Sequence, residues 1–153
     1  GGPRMPEAFH EPPVRLQIRS CPELLAPVRA LVNAMALRAG LDDLSACHLV
    51  LAMDEALTNV IRHGYDGRTD GMIWIAVDGL DCGDGLRIEI EDRARTVAPE
   101  TFKGRDLDDI QPGGLGMHLM TSLVDRYEHT PRAGGGMRVV LEKRAQAAVA
   151  PAA

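Results

Sequence analysis

Apolar and polar residues alternate through VRLQIRS, residues 14–20. Val14, Leu16 and Ile18 fall on one side, and Arg15, Gln17 and Arg19 on the other. That period of two predicts a half-buried strand. Pro22 then suits a first helical position, with Glu23 in the first turn. Leu24, Leu25, Val28, Leu31, Val32, Met35 and Leu37 keep a helical spacing as far as Gly40. A second helix starts near Asp42 or Asp43, either of which can cap it, and runs to Gly64. Its apolar face, through Leu44, Cys47, Leu51 and Leu57, is predicted to dock on a sheet. YDGRTDG is a turn cluster, and MIWIAVDGL and LRIEIED alternate as two strands around the tight DCGDG turn. From Arg93 to Gly114 the periodicity is lost. LGMHLMTSLVDRY then reads as a helix entered directly from PGG, and GMRVVLEKR as a closing strand. The order β-α-α-β-β-loop-α-β predicts an α/β (α+β) two-layer sandwich. Its sheet is mixed but mostly antiparallel, with helices on one face.

The Gly- and Pro-rich residues 1–13 have no period and are read as a disordered or upstream segment. Residues 14–144 are the folded domain, and 145–153 a flexible small-residue tail. The chain of 153 residues suffices for one core. Hydrophobic residues make up 45% and charged residues 25%, the balance of a globular domain. With one Trp, two Tyr and two Phe, the core rests on aliphatic side chains. The same scarcity argues against single-stranded nucleic acid bound by aromatic stacking.

The net charge is -5 without a basic block, so no direct nucleic-acid partner is expected. Apolar stretches are broken by charges short of about 18 residues, so no membrane span is predicted, and no secretory leader is recognised. Cys21, Cys47 and Cys82 form no CxxC pair. They read as reduced, mostly buried thiols of a cytoplasmic protein.

The second helix poses a chemical question in AMDEALTNVIRHGY, residues 52–65, where Asp54, Glu55, Asn59, Arg62 and His63 crowd one segment. Glu55, Asn59 and His63 are four apart and lie in line on one helix face. A carboxylate can take a proton from an attacking hydroxyl. A carboxamide oxygen suits magnesium held mostly by phosphate, and a cation one turn further can meet phosphate. An exposed polar stripe with an ordinary i,i+4 pair accounts for the same residues. Zinc fits less well, because His48 and His63 have no ligand partners at the right spacing and HExxH is missing.

A second segment, PGGLGMH at 112–118, places Gly113, Gly114 and Gly116 before a helix, where free backbone N–H groups can hold an oxyanion. It lacks the GK[ST] of a Walker loop and the spacing of a dinucleotide fingerprint. An unliganded helix-entry turn is the other reading. Asp106, Asp108 and Asp109 lack EF-hand order, and His118 is read as structural or solvent-facing.

Taken together, these segments resemble the GHKL (Bergerat-fold) ATP-binding domain, and within it the bacterial anti-sigma-factor serine/threonine protein kinases. EALTNVIRHGY at 55–65 matches that family's E-A-x-x-N-x-x-x-H-x-Y signature. PGGLGMHLMTSLVD at 112–125 matches its glycine segment, and GGMRVVLEKR its closing strand. The resemblance implies Glu55 as general base and Asn59 as magnesium ligand. It places Arg62 and His63 near the phosphates, and gives Asp92 as acceptor for the adenine amino group with Ala94 at the adenine edge. Gly113, Gly114, Leu115, Gly116 and Met117 then belong to the base of a lid formed by the preceding irregular segment. ATP and Mg2+ are the implied cofactors. A sigma factor, an anti-anti-sigma (STAS-domain) protein and a second copy of the chain are the implied partners.

The family shows D-x-G where this chain reads 92 DRA 94. The resemblance therefore implies either a kinase that phosphorylates the antagonist, or a non-catalytic, weakly nucleotide-binding partner-switch module of the same fold. Arg93 and Arg95 stand at the pocket rim or in solvent.

Overall fold

The computed structural model describes residues 14–81, 84–94 and 120–146. Among these residues five strands form one sheet: β1 (Val14–Arg19), β2 (Met72–Gly79), β3 (Gly85–Asp92), β4 (Arg126–Pro131) and β5 (Met137–Arg144). Their order is β1-β2-β3-β5-β4. All four pairings are antiparallel, so the sheet expected to be mostly antiparallel is so at every described pairing.

Register lines the helix-facing rows up across the strands. Leu16 lies opposite Ile75, Ile75 opposite Ile90, Ile90 opposite Val139, and Val139 opposite His129. Side chains alternate along each strand, so the apolar residues collect on one side. The other side carries charge pairs, such as Arg138–Glu89 across strands at 2.8 Å and Arg87–Glu89 along β3 at 2.6 Å.

Two helices cover the apolar side: α1 (Leu25–Arg38), entered through a 3-10 turn at Pro22–Leu24, and α2 (Asp43–Asn59). Gly40, at φ +97°, ends the first, a conformation that L side chains rarely adopt. Asp42 caps the second, its Oδ1 accepting from the Ser45 N–H at 2.7 Å. That bond, together with the Ser45 side chain, holds the Asp42 carboxyl below its usual range.

The docking face of α2 differs from the predicted one. Leu44 is 65% exposed, Leu51 is 45% exposed, and Cys47 faces solvent. Of the predicted face only Leu57 is buried. The helix instead packs through Ala46, Leu49, Ala52, Met53 and Ala56. Both rows have helical spacing, and the small Ala row lets the helix backbone approach the sheet closely. Cys47 therefore departs from the expectation of buried thiols, and Cys21 is only half-buried. Cys82 lies outside the described residues.

α2 continues into a π-helical turn at Val60–Gly64. The continuous helix Asp43–Gly64 has 22 residues and is apolar enough by length and composition to cross a membrane, a test that a buried core helix also passes. Half of its apolar window is buried inside the domain, as a core helix requires. The last predicted helix also needs correction. Residues 120–122 are helical, but Arg126 already begins β4, a strand that was not predicted. Only its first two residues are even half-buried, so it lacks the alternation by which strands are recognised.

Candidate functional site

The polar residues of α2 do not all serve one purpose. Asp54 is taken by α1, its Oδ1 accepting from Arg29 Nη1 at 2.7 Å. Glu55 is half-buried, and its Oε1 is shielded from solvent with no hydrogen-bond partner among the described residues. A buried carboxylate oxygen lacking a donor is costly, and a catalytic role is one of the explanations for such a group. Asn59 follows one turn on and is the last residue of α2.

The π-helical turn then widens the helix. The Tyr65 N–H reaches back five residues to the Val60 carbonyl at 2.9 Å. The extra residue per turn takes His63 off the straight Glu55–Asn59 line that α-helical spacing predicts, leaving Arg62 and His63 on an exposed turn.

Tyr127 faces α2 from β4, opposite Leu141 in the sheet. Burial, and secondarily the negative charge of Glu55, push its phenol pKa up to about 12. It is a neutral hydroxyl throughout the physiological range.

Asp92 ends β3 on the helix-facing row, opposite Ile73, and is 2% exposed. Its Oδ1 accepts from the Ala94 N–H at 2.9 Å and, at longer range, from the Met137 N–H at 3.4 Å. Burial raises its carboxyl above the usual range, opposed by these hydrogen bonds and by the charges of His129 and Arg132. His129 shows solvent-exposed surface, but protein crowding around its ring still holds its pKa down, against the pull of Asp92.

Ala94 is 5% exposed and belongs to the core. Among the described residues only Asp66 combines a side chain with positive φ, so the backbone at 94 does not demand glycine. The Ala94 methyl lies against Gly64, where a Cβ would stand 3.1 Å from it. The end of the α2 helix and the strand end carrying Asp92 thus meet through the Gly64–Ala94 contact. Arg93 turns away from the helices and stacks over the Trp74 ring, 4.9 Å from its centroid. It is solvent-exposed, in keeping with the surface role expected of it. Gly113, Gly114, Leu115, Gly116 and Met117, with Arg95, Asp106, Asp108, Asp109 and His118, lie outside the described residues.

Sequence reasoning missed four contributors. Tyr65 stood inside the quoted motif without a role. Its hydroxyl donates to the Met72 carbonyl and accepts from the Arg93 N–H at 3.0 Å, tying the helix end to both strand ends. Tyr127 was assigned to a helix. Arg132 and Gly136 occupy the β4–β5 turn, which could not be recognised without β4, although three glycines in a row marked a turn.

Comparison with known proteins places the chain in a family. The family model for the histidine kinase-like ATPase domain matches residues 18–143. The serine-protein kinase RsbW of Listeria monocytogenes is 31% identical over 120 residues, covering 73% of this chain and 75% of that protein. RsbW of Bacillus pumilus is 28% identical over 139 residues, covering 85% and 84%.

Among solved structures, the RsbU and RsbW domains of Rv1364c from Mycobacterium tuberculosis superpose with a TM-score of 0.58 at 20% identity. The match covers 87% of this chain and 32% of that one. The histidine kinase domain of the Erythrobacter litoralis EL346 blue-light activated histidine kinase gives 0.52 at 19% identity, covering 82% and 61%. At these identities the two structures speak to fold alone. The two-layer fold, the family model and the relatives over three-quarters of their length agree: this chain belongs to the histidine kinase-like (GHKL, Bergerat-fold) ATPases, in the RsbW-like anti-sigma-factor kinase family.

Proposed function

We propose that the protein is an ATP-dependent serine/threonine protein kinase that acts as an anti-sigma factor and phosphorylates an anti-anti-sigma protein of the STAS class. The observation that carries this reading is Glu55, whose Oε1 is buried with no hydrogen-bond partner among the described residues. A hydroxyl entering beside it supplies the missing donor, and the carboxylate then takes the proton as the hydroxyl attacks.

The remaining side chains suit an adenine nucleotide. Both described hydrogen bonds to the Asp92 carboxylate end on Oδ1, leaving Oδ2 to accept from an exocyclic amino group. Asn59 offers a neutral oxygen for magnesium, and when bound that ion neutralises triphosphate charge. Arg62 and His63, exposed at the helix end, are the side chains proposed to meet phosphate. Tyr127 keeps a neutral hydroxyl near Glu55 and adds no competing charge. Phosphoryl transfer asks the protein mainly for positioning and electrostatics, and these groups supply both. A sigma factor as second ligand, a homodimer and a cytoplasmic setting complete the proposal, as the family resemblance implies.

The second reading, a non-catalytic partner-switch module, drew its support from Ala94 in place of glycine. That support is weakened by a methyl packed against Gly64 on an unstrained backbone. Incubation with labelled ATP, magnesium and a STAS-domain substrate decides between the two. Wild type is expected to transfer phosphate. Glu55→Gln is expected to lower transfer by about 100-fold or more while nucleotide still binds. Absence of any adenine-nucleotide binding at millimolar concentration refutes the kinase reading.

A further inference from the structure

The turn between β4 and β5 runs from Arg132 through Ala133 to Gly134, Gly135 and Gly136. The three glycines have φ values of +92°, +110° and +88°. At Gly134 and Gly135 a Cβ would meet nothing. At Gly136 it would collide with the Asp92 carbonyl, standing 2.7 Å from its carbon and 2.8 Å from the Arg93 Cα. Glycine at 136 is therefore required twice, for its φ and for the close approach of two backbones. The turn lies directly against the residue read as the purine-recognising carboxylate.

Arg132 fastens that contact. Its N–H donates to the Gly136 carbonyl at 2.9 Å and closes the turn. Its Nη1 donates to the Asp92 carbonyl at 3.1 Å and reaches the Gly135 carbonyl at 3.4 Å. Its Nε stands 3.5 Å from Glu91 Oε2. One guanidinium thus grips both the turn and the last two residues of β3, a use of its rigid fork that Lys cannot copy. The first residue after the turn, Met137, directs its N–H at Asp92 Oδ1 from 3.4 Å. Asp92 is held at its main-chain carbonyl by the arginine and at one carboxylate oxygen by backbone amides.

We propose that Arg132, with the Gly136 backbone it clamps, is the positioning element for nucleobase selection. It fixes the main chain of Asp92 so that its second carboxylate oxygen, Oδ2, meets the amino group of adenine and opposes the carbonyl of guanine. This inference rests on the reading of Asp92 as an adenine acceptor. Arg132 itself touches no ligand in this scheme and acts through Asp92.

The test is a titration of wild type, Arg132→Ala and Arg132→Lys with ATP and with GTP, each by displacement of a fluorescent adenine nucleotide or by calorimetry. Thermal unfolding of the same samples is followed without nucleotide. Wild type is expected to favour ATP. Arg132→Ala is expected to compress the ATP-to-GTP affinity ratio by about tenfold, the scale of one charge-assisted hydrogen bond. Arg132→Lys should recover part of that ratio. A purely structural role would instead lower stability and weaken both nucleotides alike, or leave both unchanged, and either result overturns the inference. A wild type that binds ATP and GTP equally, or neither, refutes the assignment of Asp92 and takes the inference with it. Preserved wild-type preference with an unaltered ratio in Arg132→Ala refutes the positioning role alone.

Discussion

Substituting Gly64 by Ala tests how the end of the α2 helix meets the strand end that carries Asp92. The added Cβ would stand 3.1 Å from the Ala94 methyl and 3.9 Å from Val60 Cγ1. Carbon atoms pack best at about 3.5–4.0 Å, so only the Ala94 contact is too close, by roughly 0.4–0.9 Å. Neither partner yields easily, because Tyr65 ties the helix end to Arg93 and Met72 while Asp92 pins the Ala94 N–H. Overpacking of this kind costs about 1–3 kcal/mol. Replacing a helical glycine by alanine returns about 0.5–1 kcal/mol, so Gly64→Ala is expected to destabilise by roughly 1–2 kcal/mol.

Ala94→Gly removes a buried methyl and is expected to cost about 1–2 kcal/mol. In the double variant the new methyl at 64 occupies the space vacated at 94. Its stability should then lie within about 1 kcal/mol of wild type, a coupling of roughly 1–3 kcal/mol between the sites. Urea unfolding followed by the fluorescence of Trp74, the only tryptophan, measures all four corners of the cycle. Nucleotide titration of the same proteins shows whether the double variant also keeps its affinity. Single effects that add to within about 0.5 kcal/mol would refute the contact and reopen Ala94 as an obstacle to nucleotide.

Two further outcomes follow from burial and charge. Asp92 has a carboxyl raised by burial, so its folding contribution is fully present below the unfolded pKa of about 3.9 and is lost as pH rises through the folded value. Asp92→Asn keeps an Oδ1 acceptor without the buried charge. It should unfold at a higher temperature than wild type at neutral pH, with the gap closing toward about pH 4, while adenine-nucleotide binding is lost. An equal thermal shift at both pH values counts against that account. On α2, Leu49→Ala should cost about 2–5 kcal/mol, and Leu51→Lys should stay within about 0.5 kcal/mol. Chemical denaturation distinguishes them, and the opposite ranking would restore the face read from periodicity.

Local rules determined a good deal about this protein before any tertiary contact was considered. The capping aspartate at 42, the stop at Gly40, the period-two strands and the spacing of Glu55 and Asn59 depend on near neighbours, so the sequence carries them directly. Periodicity, however, reports spacing and not direction. α2 has one apolar row through Leu44 and Leu51 and another through Ala46, Leu49 and Met53. Only contact with the sheet selects the second, whose alanines admit close approach. β4 was illegible for a related reason. It is an edge strand whose side chains are wet along most of its length, so no alternation marks it. With it went Tyr127, which stands near Glu55, and Arg132, which grips Asp92. The π-helical turn that shifts His63 likewise forms where Tyr65 fastens the helix end to Met72 and Arg93. Those partners lie 7 and 28 residues further along the chain, and their meeting depends on how the sheet closes against the helices.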